Sequence, residues 1–124
     1  MDPYFLATFT FLLMLKHTIC DLAIQRLFPA KKQFYFNGNA HTHYFHHGIG
    51  SAVAGLLFSP AFAVLIGLLD YLIHWHVDHW KTRLKIRYQL TEKDDAFWVL
   101  QTVDQALHFA TYYLFVVLGV YIYA

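Results

Sequence analysis

The chain has 124 residues, which is room for one domain, and it is 58% hydrophobic and 19% aromatic but only 14% charged. Soluble domains carry about a quarter charged residues, so this composition argues against a soluble protein and favours an integral membrane protein. A net charge of +1 provides no basic surface for nucleic acid, and the single cysteine, Cys20, excludes an internal disulfide.

The first two predicted helices span residues 4–28 and 42–58. The apolar run from Tyr4 leads into the first helix, and Pro29, two lysines and the Asn37-Gly38 turn signal end it. The second helix is rich in small residues at the i,i+4 spacing that lets membrane helices approach closely. These small pairs are Gly50 with Ala54 and Ser51 with Gly55.

The third and fourth predicted helices span residues 60–87 and 94–123. Ser59-Pro60 is a typical start for the third, and Thr91 followed by Asp94 resembles a capping box before the fourth. The sequence therefore predicts an all-α integral membrane four-helix bundle, with residues 1–124 forming a single transmembrane domain. An alternative joins residues 48–69 into one span kinked at Pro60. That three-span arrangement would separate residues 43–47 from residues 74–78 by about 30 Å, and we prefer the hairpin.

Basic residues indicate the orientation of the helices. They flank the first and third connections, whereas the Ser59-Pro60 turn and the C-terminal segment carry no charge. The positive-inside rule then places both long connections in the cytoplasm and both termini outside.

Each predicted helix carries polar side chains one turn apart on a single face. The first helix has His17 and Asp21, and the second has His43 and His47. The third helix has Asp70, His74 and Asp78, and the fourth has Asp104 and His108. Counted from the cytoplasmic helix ends, they fall at similar depths and predict one buried His/Asp cluster near the cytoplasmic side. A charged side chain in mid-membrane costs roughly 2.5–3.5 kcal/mol or more, so the aspartates must be paired, protonated or bound to a cation.

Imidazole and carboxylate are the donors that zinc, iron and manganese accept, so we expect a divalent metal. The predicted ligands are His17, Asp21, His43, His47, His74, Asp78, Asp104 and His108, enough donors for a dinuclear site. The alternative is a hydrogen-bonded network without metal, in which Lys81 pairs with Asp78. Haem fits a carboxylate-rich pocket poorly. Asp70 either orients His74 or lines the cavity.

Other polar residues of the apolar segments are expected outside the cluster. Lys16 is expected to extend toward the interface, and Cys20 to be packed in the core. His41, His76 and His79 are expected near the interface rather than among the ligands.

The order of these motifs resembles the uncharacterised DUF-3307 family of small bacterial and phage membrane proteins. The motifs are His17-x3-Asp21-x3-Gln25, the His43–His47 cluster, His74-x3-Asp78-x2-Lys81-x-Arg83 and Asp104-Gln105-x2-His108. The resemblance spans residues 15–115 and implies a bacterial inner-membrane or phage-encoded protein. It implies functional positions at His17, Asp21, His74, Asp78, Lys81, Asp104, Gln105 and His108.

A metal at such a site would activate water, which suggests a hydrolase acting on a lipid or another amphiphile. Asp78 and Asp104, with Lys81, are the predicted catalytic residues, and Lys81 or Arg83 would hold an anionic headgroup. The alternatives are a non-catalytic accessory subunit, a metal or proton relay, and a di-iron lipid-modifying enzyme. The last is suggested by His43-x2-His46-His47, which is similar to a histidine box of membrane desaturases. Expected partners are membrane lipid, and other membrane subunits or a second copy of the chain.

Overall fold

The computed structural model describes residues 1–124 as four helices without strands. α1 spans Pro3–Thr18 and continues through a π-helical turn, Ile19–Ile24, and a short 3₁₀ turn, Gln25–Leu27. α2 spans Gly38–Gly55, α3 Pro60–Arg87 and α4 Asp95–Tyr123. α1 packs against α2 and α4, and α3 packs against the same two helices, so the helices form a four-helix bundle.

Local capping explains where the helices begin. The side chains of Asp2 and Ser59 accept hydrogen bonds from Tyr4 N (2.9 Å) and Phe62 N (3.1 Å), and each is followed by proline at the first helical position. The predicted bounds of the third helix are confirmed, and the fourth begins one residue later than predicted.

The second helix was predicted too late in the chain, at both ends. The Asn37 side chain accepts a hydrogen bond from Ala40 N at 3.1 Å and so acts as the N-cap. Asn37-Gly38 therefore starts α2 at residue 38, rather than forming a turn four residues before it, and the helix ends at Gly55 rather than residue 58. The first helix is also less regular than predicted, because its last nine residues form a π-helical turn and a 3₁₀ turn rather than α-helix.

α2 and α3 form the predicted hairpin around the turn at residues 56–59. The two helices approach closely at glycines: a Cβ on Gly48 would lie 2.9 Å from the Gly67 carbonyl oxygen, and one on Gly55 would lie 2.9 Å from Ala63 Cα. Because α2 lies along α3, residues 43–47 and 74–78 are neighbours. The three-span alternative, which separates them, is therefore wrong.

The bundle has an apolar half and a polar half. The apolar core is formed by Phe9, Leu13, Ala54, Phe62, Ile66, Tyr112 and Phe115. Toward the opposite end most of the buried side chains are histidine, aspartate and lysine. Three helical segments are long and apolar enough to cross a membrane, namely residues 3–27, 60–87 and 95–123, whereas α2 is not among them.

Candidate metal centre

Three of the four buried or half-buried aspartates in the polar half are paired with lysines. Lys16 Nζ lies 2.5 Å from Asp70 Oδ2, Lys32 Nζ lies 2.8 Å from Asp78 Oδ2, and Lys81 Nζ lies 3.3 Å from Asp104 Oδ2. Asp70 also accepts a hydrogen bond from the Ser51 hydroxyl. The fourth aspartate, Asp21, has no lysine or arginine partner, so the polar half contains one uncompensated carboxylate.

Asp21 is surrounded by imidazoles instead. Its Oδ1 lies 2.7 Å from His47 Nε2, 3.3 Å from His43 Nε2 and 3.9 Å from His74 Nε2. Its Oδ2 lies 3.1 Å from His17 Nε2. These residues come from α1, α2 and α3, so the structure brings three of the predicted elements together around a single carboxylate.

Two of these histidines have no hydrogen-bond partner for either ring nitrogen. His43 and His74 are 1% and 0% exposed, and Nδ1 and Nε2 of both rings are unpaired. Buried polar atoms in proteins are almost always hydrogen-bonded, so two fully unpaired imidazoles side by side are exceptional. Metal ligation is one interaction that would satisfy one nitrogen of each ring.

The Nε2 atoms of His43 and His74 also face a second carboxylate. Asp78 Oδ2 lies 3.5 Å from His43 Nε2 and 3.4 Å from His74 Nε2. Ligand atoms about 2.0–2.1 Å from a tetrahedral zinc lie roughly 3.3–3.4 Å from one another. The four distances that join the two imidazoles to Asp21 Oδ1 and Asp78 Oδ2, 3.3 to 3.9 Å, are close to that spacing.

Two overlapping groups of side chains have ligand atoms near enough to one another to hold a metal ion. One comprises Asp21, His43, His47 and His74, and the other comprises His74, Asp78 and His108. The predicted His/Asp cluster therefore has ligand atoms close enough together to hold a metal ion. His74 belongs to both groups, so the two positions are not independent.

His47 is held by a lysine that the sequence analysis placed elsewhere. Lys16 is buried, and its ammonium donates to Asp70, to His47 Nδ1 at 3.0 Å and to the His47 carbonyl oxygen at 3.4 Å. The expectation that Lys16 extends toward the interface is wrong, because its buried partner Asp70 draws it inward. Since Nδ1 accepts this bond, the proton of a neutral His47 ring is on Nε2, where it is donated to Asp21 Oδ1.

His17 has both ring nitrogens engaged. The Gln105 amide donates to Asp104 Oδ2 at 2.9 Å, which orients Gln105 Oε1 toward His17 Nε2, 2.9 Å away. An amide oxygen only accepts, so Nε2 carries the proton and Nδ1 accepts from the Tyr112 hydroxyl at 2.7 Å. The result is a continuous hydrogen-bonded chain from Tyr112 to Asp104.

His108 connects the remaining two aspartates. Its Nε2 lies 3.1 Å from Asp78 Oδ1 and 3.3 Å from Asp104 Oδ1. One imidazole therefore spans both carboxylates, and every predicted ligand lies in one continuous cluster. Asp104 Oδ1 has no hydrogen-bond partner of its own.

Several pairings differ from the expectations. Asp78 pairs with Lys32, from the first connection, and not with Lys81, because α4 brings Asp104 to Lys81. Asp70 Oδ1 lies 3.7 Å from His74 Nδ1, too far for a hydrogen bond. Nothing in the spacing of the lysines distinguishes Lys16 and Lys32 from interfacial residues.

The histidines expected outside the cluster do lie outside it. His41 contacts Tyr71 and the Tyr35 carbonyl, His76 contacts the Tyr35 hydroxyl, and His79 contacts the Lys32 carbonyl. Cys20 is buried and free, as expected.

The cluster opens into a polar cavity of about 390 Å³. Its lining includes Asp21, Asp78, Lys81 and Asp104. A second cavity of about 570 Å³ shares the first three of these and adds basic residues from the helix ends. Arg83 lines neither cavity, which argues against it as a headgroup contact at this site.

Comparison of the chain with protein-family models, curated proteins and solved structures gives no match. Membership of the DUF-3307 family therefore stays a prediction, and the function is argued from the site.

Proposed function

We propose that the protein is an integral membrane metalloprotein that binds one divalent first-row metal ion, zinc, iron or manganese. The proposed ligand atoms are Asp21 Oδ1, His43 Nε2 and His74 Nε2 from the first of the two groups, with Asp78 Oδ2 from the second group as the fourth. The observation that carries the proposal is the pair of buried imidazoles, His43 and His74, whose nitrogens lack hydrogen bonds and whose Nε2 atoms face both carboxylates. His17, His47 and His108 would orient these carboxylates rather than bind the metal themselves.

Charge balance supports one ion rather than the two that the number of donors suggested. Three lysines neutralise three aspartates, which leaves Asp21 as the only uncompensated charge. One dication reverses that single charge, whereas a second would add a large uncompensated positive charge in a buried site. The two ligand groups also share His74.

The chemistry best supported is hydrolysis of an amphiphile. A divalent ion would act as a Lewis acid toward water and toward the carbonyl or phosphoryl group of a substrate. Asp104 is suited to accept a proton because its Oδ1 is unpaired and it lines the polar cavity. Lys81 lies beside it and can contact a negatively charged group. Asp78, a predicted catalytic residue, would serve as a metal ligand.

Membrane placement is supported by the three long apolar helices and by the exposed apolar side chains along them. With both basic connections in the cytoplasm, the polar half of the bundle lies on the cytoplasmic side and both termini lie outside. A bacterial inner membrane or a phage-infected host membrane is the setting that the motif resemblance suggests.

A transport or relay function has less support, because the apolar half provides no polar path beyond Tyr112. A purely structural polar core in an accessory subunit also has less support. Such a core would be expected to satisfy its own polar atoms, as the chain from Tyr112 to Asp104 does, yet His43 and His74 have no partners.

The test is elemental analysis of protein purified in detergent without chelator. We expect about one equivalent of metal in the native protein, and less than a tenth in the His43→Gln and His74→Gln variants. His76→Gln is the matched control, since His76 is on the same helix as His74 but bonds only to Tyr35 and Leu72. Equal metal content in all four proteins, or none in the native protein, would contradict the proposal.

A further inference from the structure

An apolar groove runs along the outside of the bundle between the cytoplasmic ends of α3 and α4. Its volume is about 670 Å³, within the range of roughly 300–1,000 Å³ typical of small-molecule sites. Ten of its 14 lining residues are hydrophobic. They include Trp80 and Leu84 on α3, and Leu100 and Val103 on α4.

The groove adjoins the polar cavity at the Lys81–Asp104 ion pair. Both residues line the groove and the 390 Å³ cavity, so this pair forms the boundary between an apolar compartment and the proposed metal centre. It is the longest of the three lysine–aspartate pairs, at 3.3 Å, and its lysine is 19% exposed. Lys81 is the partly exposed member of the pair and can take another anionic partner, while Asp104, which is 3% exposed, keeps the hydrogen bond from the Gln105 amide.

Cations outnumber carboxylates on the polar side of this boundary. The 570 Å³ cavity is lined by Arg26, Lys32, Lys81 and Lys85, but by only two carboxylates, Asp21 and Asp78. A group with several negative oxygens fits such a lining, because arginine and lysine side chains are the usual contacts of phosphate.

We infer that the α3–α4 groove binds the chain of a membrane amphiphile with one acyl chain and a phosphate headgroup. The acyl chain lies in the groove, and the phosphate lies in the cationic cavity, where Lys81 exchanges Asp104 for the phosphate. The inference rests on the proposed function in one respect: the bond to be cleaved would lie at the proposed metal centre. Binding itself requires the groove and the cations, and not the metal.

Trp80 is the natural probe, because its side chain is 68% exposed and lines the groove. In a background in which Trp75 and Trp98 are phenylalanine, quenching of Trp80 fluorescence would be measured with two probes that share one brominated acyl chain. One is a monoacylglycerol phosphate and the other a monoacylglycerol without phosphate. We expect the phosphate probe to reach half-maximal quenching at a concentration at least tenfold lower.

Two pairs of variants test the two halves of the site. Lys81→Gln should abolish the tenfold preference for phosphate, whereas Arg83→Gln, on the same helix but outside both polar cavities, should retain it. Val103→Phe should weaken quenching by both probes, whereas Val117→Phe, farther along α4 and outside the groove, should not.

His43→Gln separates this inference from the proposed function. It should lose metal yet keep the quenching and the phosphate preference. Native protein that holds no metal but passes the binding tests would contradict only the proposed function. The inference is overturned if Lys81→Gln retains the phosphate preference, or if Val103→Phe binds both probes as well as Val117→Phe does.

Discussion

Asp21→Asn is the substitution that most directly separates a metal centre from a hydrogen-bonded core. It keeps the shape of the side chain but removes the one carboxylate charge within the polar half that no lysine neutralises. An amide in place of Oδ2 would direct a donor at His17 Nε2, 3.1 Å away, which already carries a proton. An amide oxygen is also a much poorer metal ligand than a carboxylate.

The expected effect on stability follows from ligand linkage. Metal held at about 100 times its Kd stabilises the native protein by about 2.7 kcal/mol, which corresponds to a Tm change on the order of 10 °C. The assay is thermal unfolding in detergent, before and after chelation, together with metal analysis. Native protein should lose that Tm increment on chelation, whereas Asp21→Asn should contain no metal and show no change with chelator.

If the native protein holds no metal, the same substitution should have the opposite effect on stability. Removing an uncompensated, half-buried charge relieves part of the desolvation cost that a buried ion carries, so Asp21→Asn would be neutral or stabilising. An Asp21→Asn protein with native metal content and a native response to chelator would refute the metal reasoning. An unchanged Tm for native protein on chelation would refute it as well.

Three further predictions follow from the fold. Lys16→Met should destabilise the protein by roughly 3–5 kcal/mol in denaturant unfolding, because it leaves Asp70 buried without its ion-pair partner. Combining it with Asp70→Asn should recover part of that loss, and a loss below about 1 kcal/mol for Lys16→Met alone would contradict the buried pair. Gly55→Leu should separate α2 from α3 and lower Tm, since a Cβ alone would lie 2.9 Å from α3; an unchanged Tm would contradict the close packing. In a Cys20→Ala background, cysteines introduced at residues 38 and 91 should react with a membrane-impermeant reagent from the cytoplasmic side only, and a cysteine at the C-terminus should react from the outer side only. Labelling of residues 38 and 91 from opposite sides of the membrane would contradict the topology.

Helix existence and type were predictable because the apolar segments are long and their start signals are strong. Ser59-Pro60 placed the start of α3 correctly. Asn37 was misjudged because asparagine-glycine is a turn signal and asparagine is also an N-cap residue, and only the geometry of the following residues distinguishes the two. The π-helical turn at residues 19–24 has no comparable sequence signal.

The membership of the polar cluster was predictable, but its internal pairing was not. Helical spacing places His17 and Asp21 on one face, as it does His74 and Asp78. Which lysine pairs with which aspartate depends on contacts between helices that are distant in sequence. Lys16 resembles a residue that extends to the interface until Asp70 of α3 is placed beside it.

Distinguishing ligands from supporting histidines needed hydrogen-bond partners as well. The sequence alone does not distinguish one histidine of the cluster from another. Hydrogen bonds show where the protons of two rings lie: Lys16 donates to His47 Nδ1, and the Tyr112 hydroxyl donates to His17 Nδ1. In the cluster, only His43 and His74 have no hydrogen bond at either ring nitrogen.

The lysine–aspartate pairs have a consequence for how the chain enters a bilayer. Lys16 and Asp70 are 54 residues apart, and Lys32 and Asp78 are 46 apart, so both lysines pair with aspartates that are synthesised later. A lone charge in mid-membrane costs roughly 2.5–3.5 kcal/mol, so α1 gains stability in a bilayer when Asp70 of α3 pairs with Lys16. In a bilayer, the packing of α3 against the rest of the bundle would therefore complete the insertion of α1, because the partner of Lys16 lies on α3.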